Sequence, residues 1–529
     1  MGGRDLAVEV LLEQVGRARA HGRASIETAV RRFNARAALA LVLLAAPVAA
    51  VEIPGTAGHL TAGGYVDGLA VAETEGGKRE RPRAFLDLRL DGTATRSLRG
   101  HLELRERFGG PFEGGPGAGV YDWSHVYQNR SPSTEVIEAF ADVHLRRADL
   151  RVGVQKVAWG KLDGIPPTDL VNPRDYHDPL IEDFEERKIG IPAVNATYYL
   201  PDVARLALTG LRATLVWVPI AVPPRLALLD ERWFPSSIRP PAHVVVSRSA
   251  LARAGLPSAT ALVLPVMLRT ENHRPPRRLD AGGLALRLGG TVAESDWDFY
   301  HYTGPETGPD LDLRPELQLL SLRPLAGRVV SRLRQAHDTI HMTGVDWAMP
   351  LGGFTVRAEA AWLDDRPYLR RSSDLASPAA LARLPLRKIT IDLLKRHRAA
   401  VPLGALFPSF DTVEWGAGAD YFWHGYQPLL QVNQVAFLGR TPPLVLSDPE
   451  TRVVASLHKR YLGERMEAEV RGVWAFERQA WFVFPRLSYR VRDDLRLRVG
   501  YLAIGGPRLS LIGQFRNNDE FVLDARYSF

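Results

Sequence analysis

The sequence predicts an all-β fold, a transmembrane antiparallel β-barrel of about 18 strands with long extracellular loops. Three observations predict it. The chain ends in an alternating strand whose last residue is aromatic, a secretion signal lies near the amino terminus, and polar and apolar residues alternate in many segments between the two ends. These segments are about 9 to 12 residues long, the length at which a tilted strand crosses a bilayer.

The closing strand is the most informative of these features. Because strand side chains alternate between two faces, Phe521, Leu523, Ala525, Tyr527 and the terminal Phe529 share one face. An alternating strand that stops on an aromatic carboxy terminus resembles the closing strand of bacterial outer-membrane barrels, which the barrel assembly machinery recognises. The resemblance implies that Phe521, Tyr527 and Phe529 form an insertion signal. An edge strand of a soluble protein could also end on Phe.

The amino-terminal segment resembles a secretion signal. Arg31-Arg32 precedes the apolar run 37–48, and small residues follow at the positions that a signal peptidase inspects. The run is too short to span a bilayer, which takes roughly 20 apolar residues. We therefore predict an amino-terminal extension and signal peptide at 1–50 and an outer-membrane barrel at 51–529, in a Gram-negative cell.

Alternation within the strands predicts which side chains face a wet lumen. In Leu98–Phe108 the leucines share one face and four charged residues share the other, and four charges on one strand face need water. A soluble β-sandwich also alternates, but with its polar face outside. On the barrel interpretation the pore wall candidates are Arg99, Glu103, Arg105, Arg107, Glu467, Glu469, Arg471, Arg496 and Arg498.

The connection lengths predict the orientation of the barrel. Connections after even-numbered strands are short and those after odd-numbered strands are mostly long, which is typical of periplasmic turns and extracellular loops. Both termini are therefore expected in the periplasm. The alternative count is 16 strands, because the segments 296–303 and 508–515 are ambiguous. The long segments 219–282 and 364–410 could fold inward and narrow the pore, or stand outside as a cap.

One loop carries the most distinctive sequence. A strand ending in Trp159-Gly160 leads into a loop with Asn172-Pro-Arg-Asp175, and the next strand begins near Ile189. This pattern and the closing segment 513–529 resemble a family of porin-like proteobacterial outer-membrane proteins of unknown function. The resemblance implies transport without a defined substrate, and some relatives of this kind are thought to partner an exporter of the inner membrane.

The same loop is dense in acidic residues. Eight Asp and Glu lie between Lys161 and Lys188. Charges of both signs on a loop at the mouth of a wet lumen could line a constriction that selects solutes by size and charge. They could instead pair with one another and hold the loop folded, or bind calcium, although no EF-hand spacing is present. The constriction candidates are Asp163, Asp169, Arg174, Asp175, Asp178, Arg187 and Lys188.

Composition limits the other classes of function. The chain has no cysteine, so a thiolate metal site is excluded, and no metal or cofactor is expected. A net charge of +7 is too small to indicate a nucleic-acid partner. No common catalytic motif is present, and we expect no enzymatic activity. The alternatives are an outer-membrane barrel enzyme acting on lipid and a soluble periplasmic β-protein.

The predicted function is therefore a porin-like outer-membrane channel, either for passive solute passage or as the outer-membrane component of an export route. Its expected partners are outer-membrane lipid, the barrel assembly machinery and, by resemblance, an inner-membrane exporter. The sequence leaves the solute, the direction of transport and the oligomeric state open.

Overall fold

The computed structural model describes most of the chain after the predicted signal peptide. The described residues are 59–74, 82–109, 134–227, 229, 231–255, 260–271, 278–279, 281–322, 324–375, 377 and 383–529. The predicted extension and signal peptide at 1–50 lie outside them.

Eighteen strands form a closed antiparallel barrel. Each strand pairs with the next one along the wall, and the last strand pairs with the first. With strands numbered in chain order, the wall consists of β1 (His59–Glu73), β2 (Arg83–Thr95), β3 (Leu98–Gly109), β4 (Thr134–His144), β5 (Ala148–Gln155), β7 (Ile191–Tyr199), β8 (Leu208–Val218), β12 (Gly283–Val292), β13 (Ser295–Pro305), β16 (Thr339–Leu351), β17 (Phe354–Pro367), β19 (Ser409–Tyr421), β20 (Tyr426–Phe437), β21 (Glu450–Tyr461), β22 (Met466–Ala475), β23 (Ala480–Arg492), β24 (Leu495–Gly505) and β25 (Glu520–Ser528).

The remaining elements lie outside the wall. Those strands are β6 (Asp175–Tyr176), β9 (Arg225–Leu226), β10 (His243–Val246), β11 (Leu262–Glu271), β14 (Leu311–Leu322), β15 (Leu325–Gln335) and β18 (Arg398–Ala400). The helices of the described chain are Arg248–Arg253, Ser372–Leu375 and Leu386–Arg396, with short 3₁₀ turns at Ala204–Leu206 and Gly513–Phe515. In that part of the chain, none of the helices has the length and apolarity needed to cross a membrane.

The predicted fold class and strand count are confirmed. The ambiguous segment 296–303 lies within β13, whereas 508–515 contains only the 3₁₀ turn, so the count is 18 rather than 16. Short turns join the strands at one end of the barrel, and most long connections lie at the other end, as the sequence predicts. We call these the short-turn end and the long-loop end. The start of β1 and the end of β25 both lie at the short-turn end.

Closure depends on the last residue of the chain. The backbone N–H of Phe529 donates to the carbonyl of Gly64, and the N–H of Gly64 donates to the carbonyl of Phe529, each at 2.9 Å. A Cβ on Gly64 would lie 2.0 Å from the backbone carbonyl oxygen of Asp87 on β2 and 3.1 Å from the Phe529 ring. The absence of a side chain therefore lets β1 lie close to both β2 and the aromatic terminus. Tyr527 is buried and pairs with Val66 across the same seam.

Apolar side chains cover the outer surface of the wall and charged ones point inward. On β24, Leu497 and Val499 are exposed, while Arg498 between them lies 4.0 Å from Asp524 of β25. Inward-facing carboxylates and guanidinium groups of neighbouring strands pair repeatedly, as Arg151 does with Asp142 at 2.7 Å. Period-two alternation therefore separates an apolar exterior from a charged lumen.

A five-stranded sheet stands at the long-loop end, in the order β10-β11-β15-β14-β18, and we call it the cap sheet. Its inner face buries Leu311 and Leu333. For the long connections the sequence predicts surface loop with two short helices, one at 247–254 and one beginning at Ser377. The first corresponds to Arg248–Arg253, and the second falls largely on residues outside the described ones. The hairpin β14–β15 has a period-two signal of its own. The sequence prediction did not include this hairpin. What no local pattern indicates is the parallel pairing of β11 with β15, which joins distant segments.

The lipid-facing assignment can be tested with two adjacent residues at one depth. Leu457 in the middle of β21 is 44% exposed on the outer surface, and its neighbour Ser456 faces the lumen opposite Arg471. We expect Leu457→Arg to destabilise the barrel by about 2–4 kcal/mol because a charge enters hydrocarbon, and Ser456→Arg to have little effect because its charge stays in water. Guanidinium unfolding in lipid vesicles measures the free energy of unfolding of both variants. An equal loss of stability in the two variants would contradict the assignment.

The junction between wall and cap contains a buried carboxyl group. Burial, and then the charge of Asp338, raise the pKa of Asp310 from 3.8 to about 7. Its carboxyl oxygen accepts the backbone N–H of Asp338 at 3.2 Å. Between about pH 4 and 7 the folded form therefore holds a proton that the unfolded form has lost, so cap stability falls as the pH rises and is level above 7.

We expect the cap strands to exchange their amide hydrogens more readily at pH 8 than at pH 5, after correction for the intrinsic rate, and Asp310→Asn to remove this difference. The amide of Asn still accepts the hydrogen bond from Asp338 but cannot ionise. Hydrogen exchange of β14 and β15 in the wild type and the variant measures the effect. Greater protection at pH 8 in the wild type would contradict the sign.

Candidate pore constriction

The connection between β5 and β7, residues 156–190, folds into the lumen and contacts the wall on several sides. We call it the constriction loop. Lys161 pairs with Asp298 of β13 at 2.9 Å and with Asp346 of β16. About a third of the way around the ring, Asp183 of the loop pairs with Arg471 of β22, and on the side nearly opposite β16 the loop residue Asp178 pairs with Arg83 of β2. The loop is therefore fixed at opposite sides of the barrel and crosses its lumen.

Local sequence explains how the loop enters the lumen. Gly160 has a φ of +82°, and a Cβ there would lie 2.7 Å from a carboxylate oxygen of Glu359, so this turn requires glycine. The Glu359 carboxylate accepts the backbone N–H of Leu162 at 2.6 Å and the hydroxyl of Thr168 at 3.0 Å. Asn172 holds the ends of the loop together, since it accepts from Val157 N–H and donates to two carbonyls.

A buried ion cluster holds the middle of the loop. Asp169 accepts from Arg174 at 2.9 Å and from Lys188 at 2.8 Å, and all three side chains are nearly excluded from solvent. The guanidinium of Arg174 also stacks 4.0 Å above the Phe184 ring. In a buried cluster of this kind, each charge depends on its partners because water cannot replace them. These candidates stabilise the loop and do not line an opening.

A second buried cluster joins the loop to its neighbours. Asp175 pairs with His177 at 2.7 Å and with Arg225 at 3.1 Å, and Arg225 also pairs with Glu135 of the wall, which Arg107 reaches at 2.6 Å. Burial alone would raise the pKa of Asp175, but the charges of His177, Arg225 and Arg107 outweigh it and hold that pKa well below its usual range. The Asp175 carboxylate is therefore ionised at neutral pH.

A gap remains between the loop and the wall, next to the ion pair that joins Asp183 of the loop to Arg486 of β23. It is a cavity of about 60 Å³ beside the seam between β1 and β25. On the loop side it is lined by Ile181, Glu182 and Glu186, and on the wall side by Tyr65, Asp67, Leu69, Phe85, Arg105, Phe484, Arg486, Arg498, Val522, Asp524 and Arg526. Two loop carboxylates face a wall that presents four arginines and two aspartates, so the loop side of the cavity is acidic and the wall side is net basic. Burial, the largest effect, raises the pKa of Glu182.

The predicted constriction candidates have different positions. Asp169, Arg174 and Lys188 form the first buried cluster, and Asp175 belongs to the second. The others lie singly on the loop: Asp163 is exposed beside Arg357, Asp178 pairs with Arg83, and Arg187 is half-buried near Phe184. None of the seven lines the cavity. That they limit conduction stays a prediction.

The predicted wall candidates also have different roles. Arg105 and Arg498 line the cavity, and Arg471 binds the constriction loop. Four others form ion pairs within the wall: Glu103 with Arg89, Arg107 with Glu135, Glu467 with His458, and Glu469 with Arg486. The last two are placed by strand register, with Arg99 opposite Asp142 and Arg496 opposite Arg526. Sequence reasoning did not single out Glu182, Glu186, Arg486 and Arg526. The inward-facing pattern contains both arginines, but nothing local distinguishes the two glutamates.

The mouth above the constriction loop is filled by apolar side chains of the 219–282 connection. We call Ala227, Trp233, Phe234 and Ile238 the plug. They pack against inward-facing residues of the seam strands, Leu69, Phe484, Leu502, Ile504 and Val522, and against Leu311 and Leu333 of the cap sheet. The lumen is therefore charged at the level of the constriction loop and apolar near the long-loop end.

Polar contacts anchor the plug to the connection between β24 and β25. Arg232 pairs with Glu73 at 3.1 Å and donates to the carbonyl of Asp519 at 3.1 Å. The hydroxyl of Ser237 donates to Gln514 at 2.5 Å, and the Trp233 ring lies 5.3 Å from that of Phe515. These contacts fix the plug to β1 and to the connection between β24 and β25.

Two groups of described residues bring metal-ligating atoms within 4.8 Å of one another. His101, Glu103 and Glu138 form one group on the lumen wall, and an exposed acidic group on β17 and β19 is the other. In the first group Glu103 already pairs with Arg89, and Glu138 accepts the backbone N–H of Lys156. Neither group lines the cavity.

Comparison with known proteins identifies the family. The sequence matches the family described as "Protein of unknown function (DUF1302)" over residues 114–440, more than half of the chain. The chain belongs to this family. The match includes the whole constriction loop and the plug, so the predicted resemblance to a barrel family of unknown function is confirmed. No curated protein matches the sequence.

Several solved structures are similar in fold at low sequence identity. OccK5 (OpdH) of Pseudomonas aeruginosa is 11% identical, with a TM-score of 0.44 over 89% of this chain and 98% of that one. OpdK of the same organism, solved with vanillate, is 10% identical, with a TM-score of 0.42 over 89% and 98%. OmpF of Salmonella typhi, in complex with daunomycin, is 10% identical, with a TM-score of 0.39 over 90% and 100%. These values identify no solute.

The first buried cluster provides a matched test of how the loop is held. Lys188 pairs with two carboxylates at similar distances, Asp169 at 2.8 Å and Glu185 at 2.7 Å, but Asp169 is fully buried and the Glu185 side chain is 62% exposed. We expect Asp169→Asn to weaken the loop by about 3–5 kcal/mol, since Arg174 and Lys188 lose their buried counter-charge and Lys188 keeps only the exposed Glu185. Glu185→Gln should cost less than about 1 kcal/mol.

Protease sensitivity of the loop, with the barrel intact, measures both effects. Cleavage between residues 161 and 188 should be faster in Asp169→Asn than in the wild type and unchanged in Glu185→Gln. Equal sensitivity of the two variants would mean that the buried cluster does not hold the loop.

Proposed function

We propose that the protein is a porin-like channel of the outer membrane through which solutes pass passively beside the β1–β25 seam. The constriction loop is the observation that carries this proposal. It is bound to nearly opposite sides of the wall, at β16 and β2, and leaves an eccentric cavity lined by charges of both signs. A loop that only covered a barrel from outside would not need ion pairs with inward-facing residues at several points around the ring.

Several features support insertion in the outer membrane. The closed barrel has no unpaired strand edge, its outer surface is apolar at mid-strand, and short turns lie at one end. Water cannot satisfy backbone groups in hydrocarbon, so closure is a requirement for a sheet in a membrane. We assign the long-loop end to the extracellular side and the short-turn end to the periplasm. The signal peptide and the exporter partner stay predictions.

The plug adds a second barrier at the extracellular mouth. Apolar side chains that fill a narrow lumen exclude water and ions. We propose that the structure corresponds to a closed or weakly conducting channel and that solutes pass when the plug moves away from the seam strands. An outer-membrane enzyme acting on lipid is the alternative class, and it requires no conduction.

Conductance measurements in planar bilayers test the channel. We expect Glu182→Gln/Glu186→Gln to reduce the preference for cations and to change single-channel conductance, because the acidic charge on the loop side of the cavity is lost. Glu185→Gln is the matched control, because Glu185 is adjacent to Glu186 in the chain but does not line the cavity. The control should conduct like the wild type.

A closed plug would hide these effects, so the same substitutions are also made in a Trp233→Ala/Phe234→Ala background. Truncating two buried aromatic side chains loosens the plug and should raise the frequency of openings. If neither the wild type nor this background conducts while the barrel remains folded, the channel proposal fails. If the Glu182→Gln/Glu186→Gln traces match the control in that background, the passage lies elsewhere.

A further inference from the structure

The positive charge of the protein is concentrated in its cap. The three segments that form the cap sheet and its helix, 243–271, 311–335 and 383–400, contain 14 Lys and Arg against 4 Asp and Glu. The remainder of the chain contains 53 basic against 56 acidic residues. The net charge of +7 therefore arises in the cap. Half of the excess of basic over acidic residues in the cap comes from the 18 residues 383–400.

The helix Leu386–Arg396 has one face that packs on the protein and one that does not. Ile389 and Leu393 are buried against Leu317 and Leu319 of β14. At 100° per residue the opposite arc holds Arg387, Lys388, Ile391, Leu394 and Lys395. All five of these residues are exposed.

The exposed face combines two features that a solvated helix does not need together. Ile391 and Leu394 expose 44% and 47% of their surface, and three cations flank them without an acidic partner among the described residues. A soluble polyanion would require only the cations, and an apolar protein partner would require only Ile391 and Leu394. Helices that lie on an anionic lipid surface carry both, because the apolar groups enter the interface and the cations meet the phosphates.

We infer that the helix Leu386–Arg396 binds the phosphorylated lipid headgroups of the outer leaflet with its exposed face. This inference rests on the proposed outer-membrane location, and it adds a lipid-binding site to the cap. In that position the helix anchors β14 and β18, and through them the inner face of the cap sheet that packs on the plug. Occupancy of the helix by lipid then stabilises the closed mouth.

The absence of cysteine permits a clean test, because a single introduced cysteine carries the only label. The full-length barrel is placed in nanodiscs with an environment-sensitive fluorophore at Leu394→Cys or, as control, at Val245→Cys, an exposed cap position on β10. The discs contain phosphatidylcholine alone, with bisphosphorylated lipid A, or with dephosphorylated lipid A. We expect the fluorescence emission to shift to shorter wavelength only for the label at Leu394→Cys and only in discs that contain bisphosphorylated lipid A.

Charge reversal separates lipid binding from folding and from conduction. Arg387→Glu/Lys388→Glu/Lys395→Glu should weaken lipid A binding by about 100-fold, at roughly tenfold or less per charge. Arg146→Glu/Arg147→Glu, on an exposed turn at the short-turn end, should leave it unchanged. Conductance in phosphatidylcholine should be the same for all these barrels, so failure of lipid binding does not depend on failure of the channel.

Any other ligand of the exposed helix face would give a distinct result, and each of these results would overturn the inference. A blue shift with soluble polyphosphate and none with lipid A would identify a soluble polyanion as the ligand. A shift that grows with the number of barrels per disc and ignores lipid composition would identify a second copy of the chain. No shift under any of these conditions would mean that the face is only solvated.

Discussion

The structure depends on closure of the backbone ladder. In hydrocarbon each peptide group must find its partner within the protein, so the sheet has no edge and its last residue must pair with the first strand. The pairing of Phe529 with Gly64 completes that ring. Closure then determines which side chains face the lumen, because side chains alternate and every second residue points inward. Charged residues, which would be costly to place in hydrocarbon, face the lumen, where they need water or oppositely charged partners.

The constriction loop follows from that collection of charges. Its acidic and basic groups pair with inward-facing residues such as Asp298, Asp346 and Arg471. The cost of desolvation cancels most of the stabilising free energy of a single buried ion pair. A loop that forms many such pairs is nevertheless fixed at each place where the wall supplies a partner. A cavity remains beside the seam, where the loop presents Glu182 and Glu186 to the wall.

Much of the wall could be predicted from sequence, because a strand that crosses a membrane is specified locally by length, alternation and turn parity. The cap sheet could not be predicted in this way, since β11 and β15 are joined by parallel pairing across a long separation. The constriction candidates show a second limit. Asp169 and Glu186 are similar acids on one loop, yet one is buried between two cations and the other lines the cavity. Only the three-dimensional partners distinguish them.

The two barriers in the lumen are parts of one connected body. β6 of the constriction loop pairs with β9, which directly precedes the plug, and Arg225 of β9 is held between Asp175 of the loop and Glu135 of the wall. A displacement of the plug therefore pulls on a buried ion cluster at the loop. Because packed, fully paired clusters have discrete arrangements and deform little, we expect the mouth and the constriction to change together in one step, and gating of one without the other would require β6 and β9 to separate.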